Sequence, residues 1–267
     1  MAMQEFSFDI YKDWFEFVHL SRDEHGVLEI RLHREDGILT DWGGDSLSEV
    51  GLMFSVISQD SANRVIVFTG TGDAFITAAE VDTAVNAPIP AEGWVIADSW
   101  ARRLQRNLLN IEVPIIAAVN GPFELHSELA VLSDLVIAAD TASFQDTRHF
   151  TVGVPPGDGA MIPWLQLLGP NRGRQFLLEG QLIGAEEALQ RGVVAEVLPQ
   201  GEVLARAHQI AHEWATTQTT ATLRLSRRIL TREYRRLYYN DADFGAMAQG
   251  LAAAVYWPSG KAGADDL

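Results

Sequence analysis

Residues 144–160 read FQDTRHFTVGVPPGDGA and hold an imidazole at His149 and a carboxylate at Asp158. An imidazole titrates near pH 6.5 and can take a proton from water under neutral conditions. A carboxylate beside it can orient the ring and stabilise the imidazolium that forms. A Pro-Pro-Gly turn at 155–157 stiffens the chain between them, but spacing across a turn does not by itself bring two side chains together. Aspartate is also a favoured turn residue, so Asp158 has a purely local reading as well. His19, His25, His33, His208 and His212 read as surface or core histidines, the commoner fate of a lone imidazole.

The elements that must carry this segment follow from apolar patterning. VLEIRL (27–32), RVIVFTG (64–70), VPIIAAVNG (113–121) and DLVIAAD (134–140) are short continuous apolar runs rich in β-branched residues. Such runs suit strands buried on both faces. Helix-like segments lie between them, at about 47–60 and 92–111. The alternation predicts βαβ units and a mainly parallel α/β sheet. Glycines follow the strand ends at Gly70, Gly72 and Gly121, where α/β folds usually place ligands. Beyond residue 160 the pattern becomes helical, ending in a long stretch over 202–255. Its LSRRILTREYRRLYY is basic and aromatic, and reads as an amphipathic helix packed on a neighbouring helix or subunit.

Composition narrows the function. With 267 residues, 47% hydrophobic, the chain can bury a sizeable core. A net charge of −16 argues against binding to nucleic acid or anionic membranes. The absence of cysteine excludes disulfides, thiolate metal sites and a cysteine nucleophile. The first residues, MAMQEFSFDIYKDWFEF, lack the basic start and apolar run of a secretory signal. No apolar run is long enough to span a bilayer. The expectation is a soluble cytoplasmic protein.

The order of motifs over roughly 15–255 resembles the crotonase (enoyl-CoA hydratase/isomerase) superfamily. RVIVFTGTGDAFITAAEVD, VPIIAAVNG, SDLVIAADTASFQD, VGVPPGDGA and LLEGQLIGAEEALQRGVVAEVLP carry the resemblance. It implies a spiral of ββα turns over 1–200, trimerisation helices over 201–258, and a flexible tail at 259–267. Several positions depart from the hydratase pattern. Leu125 and His126 stand where an oxyanion-hole glycine run is expected, and that run, NGPFELHSELA, is one residue short. FITAAE retains the Ala79 amide, but Ala78 replaces a glycine; Asp41 and Trp42 occupy the first loop; His149 replaces a catalytic glutamate. Glu128 matches the other family glutamate, and Gln249 stands where a glutamate orienting the histidine is expected.

FQDxxHF, VPPGDGA, a histidine in the NGP segment and a tryptophan in the first loop together resemble 6-oxocamphor hydrolase and related β-diketone hydrolases. That subgroup hydrolyses a carbon–carbon bond between two carbonyls by a retro-Claisen reaction, without coenzyme A. The resemblance implies His149 as general base with Asp158 holding its ring. His126 and Trp42 would donate to the developing oxyanion. Ala79, Leu125, Phe123, Phe150 and Trp164 would bind substrate, while Glu80 and Asp82 read as a solvated rim. No cofactor or metal is implied, and a homotrimer or hexamer is expected. The alternative is a hydratase, isomerase or other acyl-CoA thioester enzyme.

Overall fold

The computed structural model describes residues 6–41, 45–78 and 90–254. Its strands are β1 (Val18–Arg22), β2 (Val27–Leu32), β3 (Thr40–Asp41), β4 (Val65–Thr69), β5 (Thr77–Ala78), β6 (Ile115–Val119), β7 (Leu135–Ala139), β8 (Ser143–Phe144), β9 (Ile183–Gly184) and β10 (Glu196–Leu198). Its helices are α1 (Phe8–Tyr11), α2 (Asp45–Ile57), α3 (Ala91–Asn110), α4 (Glu128–Val131), α5 (Met161–Glu179), α6 (Ala185–Gln190), α7 (Gln200–Thr217), α8 (Thr220–Leu230) and α9 (Arg232–Ala253).

The four apolar runs become β2, β4, β6 and β7 of one sheet, ordered β1-β2-β4-β6-β7-β10. Only the β1–β2 hairpin is antiparallel; every other neighbouring pair is parallel. All residues of β4 and β6 are buried, which is why these strands are uniformly apolar rather than alternating.

A second, thinner layer crosses the strand ends. β3 pairs with β5, Ile76 bridges to Phe123, Phe123 bridges to Phe144, and β8 pairs with β9. Each turn of chain thus gives one strand to the main sheet, a short extended piece to the second layer, and then a helix. Stacked side by side, these turns form the expected ββα spiral, in which each unit buries its apolar face against the next.

The long helical stretch divides into three helices. Thr219 caps α8 by accepting from the Thr222 backbone N–H at 3.1 Å, a side-chain cap that starts a new helix where α7 ends. The helix after residue 160 is also interrupted: Gly169 adopts φ 74° and Pro170 restarts it. α7 covers the main sheet with Val203, Ala207, Ile210, Ala211 and Ala215. α9 folds back against α3 and α5. No helix among the described residues is long and apolar enough to cross a membrane.

The basic segment of α8 does a specific structural task. Arg227 is almost wholly buried, and its Nε and Nη2 donate to the Ile111 and Leu108 carbonyls at 2.8 and 3.1 Å. The Ile111 carbonyl lies just past the end of α3, where helix carbonyls need a partner from outside the helix; the Leu108 carbonyl shares Arg227 with the capping Ile111 N–H, at 3.3 Å. The remaining guanidinium nitrogen pairs with Asp134, whose carboxylate also accepts the Ile115 N–H at the start of β6 at 2.7 Å. Arg227→Met leaves Asp134 without its cation and removes the guanidinium donor from the Ile111 and Leu108 carbonyls. Breaking a buried pair in this way typically costs about 3–5 kcal/mol. Urea denaturation is expected to show a loss of that order; an unchanged midpoint would remove Arg227 from the account of stability.

Candidate active site

Five titratable groups, His126, Glu128, Asp146, His149 and Asp158, meet at one end of the sheet. β7 delivers the chain to β8 and the FQDTRHF segment; the Pro-Pro-Gly turn then leads into α5. His149 and Asp158, 7% and 6% exposed, are brought together there. His149 Nε2 lies 3.2 Å from Asp158 Oδ2. The expected pair is therefore in contact, although its geometry differs from the sequence expectation. The carboxylate at Nδ1 is Asp146, at 2.7 and 2.9 Å from its two oxygens. Asp158 faces Nε2 instead. Sequence reasoning missed Asp146, whose only trace is the D-x-x-H spacing, which does not by itself bring the two side chains together.

Asp158 also faces His126, whose Nδ1 lies 3.9 Å from Oδ2. The His126 Nδ1 contacts Glu128 Oε1 more closely, at 2.7 Å, and Gln105 Nε2 donates to that same oxygen at 2.9 Å. Glu128, which matches a family glutamate in the sequence, is thus part of the cluster, at 2% exposure. No hydrogen bond to His126 Nε2 occurs among the described residues, so this nitrogen is available to a ligand. His126 has φ 55°. The segment keeps the left-handed backbone that suits a glycine, and adds an imidazole to it at some conformational cost.

Electrostatics follow from this crowding. Burial pushes the His149 imidazole down, but the Asp158 and Asp146 carboxylates outweigh it and hold the group well above 6.5. His126 is likewise depressed by burial and raised overall by Glu128 and then Asp158. Burial pushes the Asp158 carboxyl up, yet His149 and then His126 carry it well below the usual carboxylate range. The Ala160 N–H donates to Asp158 Oδ1 at 3.0 Å, beside the start of α5. A helix N-terminus adds a favourable field for an anion.

α9 fixes the turn that carries Asp158. The Gln249 amide donates to the Pro155 carbonyl at 2.8 Å, and the Tyr238 hydroxyl donates to Gly159 O at 2.8 Å. Gly157 and Gly245 lie back to back: a Cβ on either would come within 2.2 Å of the other's carbonyl oxygen. Gln249 is thus bonded to the loop, and the carboxylate in contact with His149 Nδ1 is Asp146.

The cavity over these groups has a volume of about 120 Å³. Its polar lining is His126, His149, Asp158, Asp98, Arg148 and Gln249, and its apolar lining is Trp94, Ala97, Ala101, Leu125 and Val154. Leu125 lies where the sequence reading put it. Phe123 and Trp164 do not line the cavity but belong to the core: Phe123 stacks on Phe75 at 4.3 Å, and Trp164 packs on Phe176 at 4.3 Å. Phe150 is 52% exposed and lies outside the cavity. The wall expected from these three aromatics comes instead from the 94/97/98/101 stripe of α3, a helical spacing visible in the sequence but not tied there to any site. Trp42, Ala79, Glu80 and Asp82 lie outside the described residues. A larger hollow of about 390 Å³ lies between α7 and α8 beside Asp134, but its cation, Arg227, has all three guanidinium nitrogens engaged.

Among the described residues, two clusters bring metal-ligand types together. In the first, His126, Glu128 and Asp158 already satisfy one another and His149 as a proton-sharing network. In the second, the His19 and His33 rings are stacked in parallel at 3.7 Å, so their in-plane lone pairs do not converge on one point.

Comparisons with known proteins agree with this architecture. Residues 22–247 match the family described as enoyl-CoA hydratase/isomerase. Carnitinyl-CoA dehydratase of Shigella flexneri is 30% identical over 200 residues, 74% of each chain. A β-diketone hydrolase from the cyanobacterium Anabaena sp. PCC 7120, solved bound to (S)-3-oxocyclohexyl acetic acid, is 36% identical, with a TM-score of 0.84 over 95% of this chain and 98% of that one. An enoyl-CoA hydratase from Mycobacterium avium subsp. paratuberculosis is 18% identical and shares the fold, with a TM-score of 0.74 over 88% of this chain and 89% of that one. With the family match spanning most of its length, the chain belongs to the enoyl-CoA hydratase/isomerase (crotonase) family.

Proposed function

We propose that the protein is a cofactor-free hydrolase that cleaves a carbon–carbon bond of a cyclic or bicyclic β-diketone by a retro-Claisen reaction, releasing a keto acid. The observation that carries this reading is the His149–Asp158 contact at 3.2 Å in an apolar-walled cavity, where hydratases of the family place a glutamate. The likeness to the Anabaena β-diketone hydrolase supports it.

The chemistry follows from the groups present. Neutral His149 takes a proton from water, and the hydroxide adds to one carbonyl. His126, as the imidazolium that Glu128 and Asp158 favour, donates through its Nε2–H to the oxyanion that forms; Trp42 is a second candidate donor. Collapse of the tetrahedral adduct breaks the bond to the carbon between the carbonyls, and the electron pair leaves as an enolate. The imidazolium of His149 returns its proton to that carbon. Water supplies one OH to the new carboxyl group and one H to the ketone fragment, so atoms balance without metal or coenzyme. Because the pair acts on water, no covalent acyl-enzyme is needed.

A second reading is an acyl-CoA enzyme, favoured by the 30% identity to carnitinyl-CoA dehydratase. Against it, His126 occupies the loop whose glycines give the thioester oxygen its amide donor in the family pattern. Self-association is part of the same proposal: Phe244, Met247 and Leu251 form an exposed apolar stripe along α9. A homotrimer, or a hexamer built from two, would cover it.

Three outcomes test the reading. Mixed with a panel of cyclic 1,3-diketones, the protein is expected to deplete their ultraviolet absorbance; hydration of an enoyl-CoA with no diketone consumed would overturn the assignment. His149→Ala and Asp158→Asn are each expected to lower kcat by about 10²–10⁴-fold, the usual worth of general-base assistance, with modest change in KM. Unchanged rates would exclude the pair from the mechanism. The base must be neutral to accept a proton, and its carboxylate neighbours stabilise the charged form above pH 6.5. The acid limb of the kcat/KM profile is therefore expected above pH 6.5, and a limb below it would contradict this role.

A further inference from the structure

Asp146 touches the proposed base, and the reaction above gives it no task. It is buried, and its two oxygens lie 2.7 and 2.9 Å from His149 Nδ1. We infer that Asp146 is a positioning residue that keeps the single proton of neutral His149 on Nδ1, so that Nε2 is the nitrogen that takes the proton from water. The inference deepens the hydrolase reading and rests on it for the identity of the reaction.

The argument is one of competing acceptors. A neutral imidazole carries one N–H, and the other nitrogen is an acceptor. Two carboxylates face this ring from opposite edges, and only one can receive its hydrogen bond when the ring is neutral. Asp146 offers both oxygens at shorter distances, and among the described residues its one other side-chain hydrogen bond is from the Arg148 backbone N–H at 3.3 Å. Asp158 offers one oxygen at 3.2 Å, which also faces His126 at 3.9 Å, while its second oxygen accepts from the Ala160 N–H. The proton is therefore held at Nδ1. Without Asp146 it would move to Nε2, facing Asp158, and the nitrogen free to act as base would point away from Asp158.

The same contact sets where His149 titrates. The ring is surrounded by Asp146 and Arg148 on its own loop, Asp158 on the turn, and His126 and Glu128 after β6. Asp98 on α3 and Gln249 on α9 share its cavity, and Tyr238 on α9 lies behind the turn, on Gly159. Carboxylates outnumber the cationic groups here, so replacing Asp146 by a neutral amide is expected to move the titration of His149 to lower pH.

The test is nitrogen NMR of the full-length protein carrying 15N-histidine, with the His149 signals assigned by their loss in His149→Gln. The expected wild-type result, read on the alkaline side of the titration, is the Nδ1–H tautomer. Asp146→Asn is expected to shift the midpoint to lower pH, raise the share of the Nε2–H tautomer and lower kcat by about 10²–10⁴-fold with KM little changed. An Nε2–H tautomer in the wild type, which requires no variant to fold, would overturn the inference. So would an unmoved midpoint in a folded Asp146→Asn protein. If diketones are not cleaved while both spectroscopic results hold, the hydrolase reading fails and the positioning role of Asp146 stands.

Discussion

The Asp158 carboxylate, buried against two imidazoles, is the constraint on which the site depends. An isolated ionised carboxylate is very costly to bury, and a buried imidazolium nearly as much. Each becomes tolerable here because the other is present. His149 and His126 hold Asp158 ionised, and Asp158, Asp146 and Glu128 hold the two rings towards their charged forms. The cluster is thus a charge-compensated unit and cannot be altered one member at a time without consequence for the others.

Much of the fold around it serves to hold that unit still. The spiral brings the loop after β6, carrying His126 and Glu128, beside the loop after β8, carrying Asp146 and His149. α9 then presses on the Pro-Pro-Gly turn through the Gly157–Gly245 approach, Gln249 and Tyr238. Arg227 anchors the end of α3, the helix whose other half lines the cavity. A chain of ordinary packing and capping interactions therefore sets the distance between His149 and Asp158. Small errors in such distances are costly to catalysis.

The sequence carried the fold well, for a physical reason. Strands buried on both faces must be continuously apolar, and the four runs beginning at Val27, Arg64, Val113 and Asp134 could hardly be anything else. His149 and His126 stand out in the sequence because their residue types break a family pattern, and Asp158 stands out as the carboxylate nine residues after His149. Asp146 does not, because a D-x-x-H spacing meets only if the loop curls, and nothing in the types says that it does. Phe150 misled because hydrophobicity says that a ring prefers burial, not which surface it faces. Trp94, Ala97 and Ala101 read as one face of a helix, and only the packing of α3 against α9 and the His126 loop turns that face into a cavity wall. Gln249 likewise could be placed near the site but not assigned its partner, the Pro155 carbonyl.

The central claim is that this scaffold delivers activated water to a carbonyl of a β-diketone. Turnover of a cyclic 1,3-diketone in 18O-labelled water, followed by mass spectrometry of product and protein, tests it most directly. The account predicts one 18O atom in the carboxyl group of the keto acid and no covalent adduct on the protein during turnover. An acyl-enzyme mass, or no keto acid formed, would contradict it.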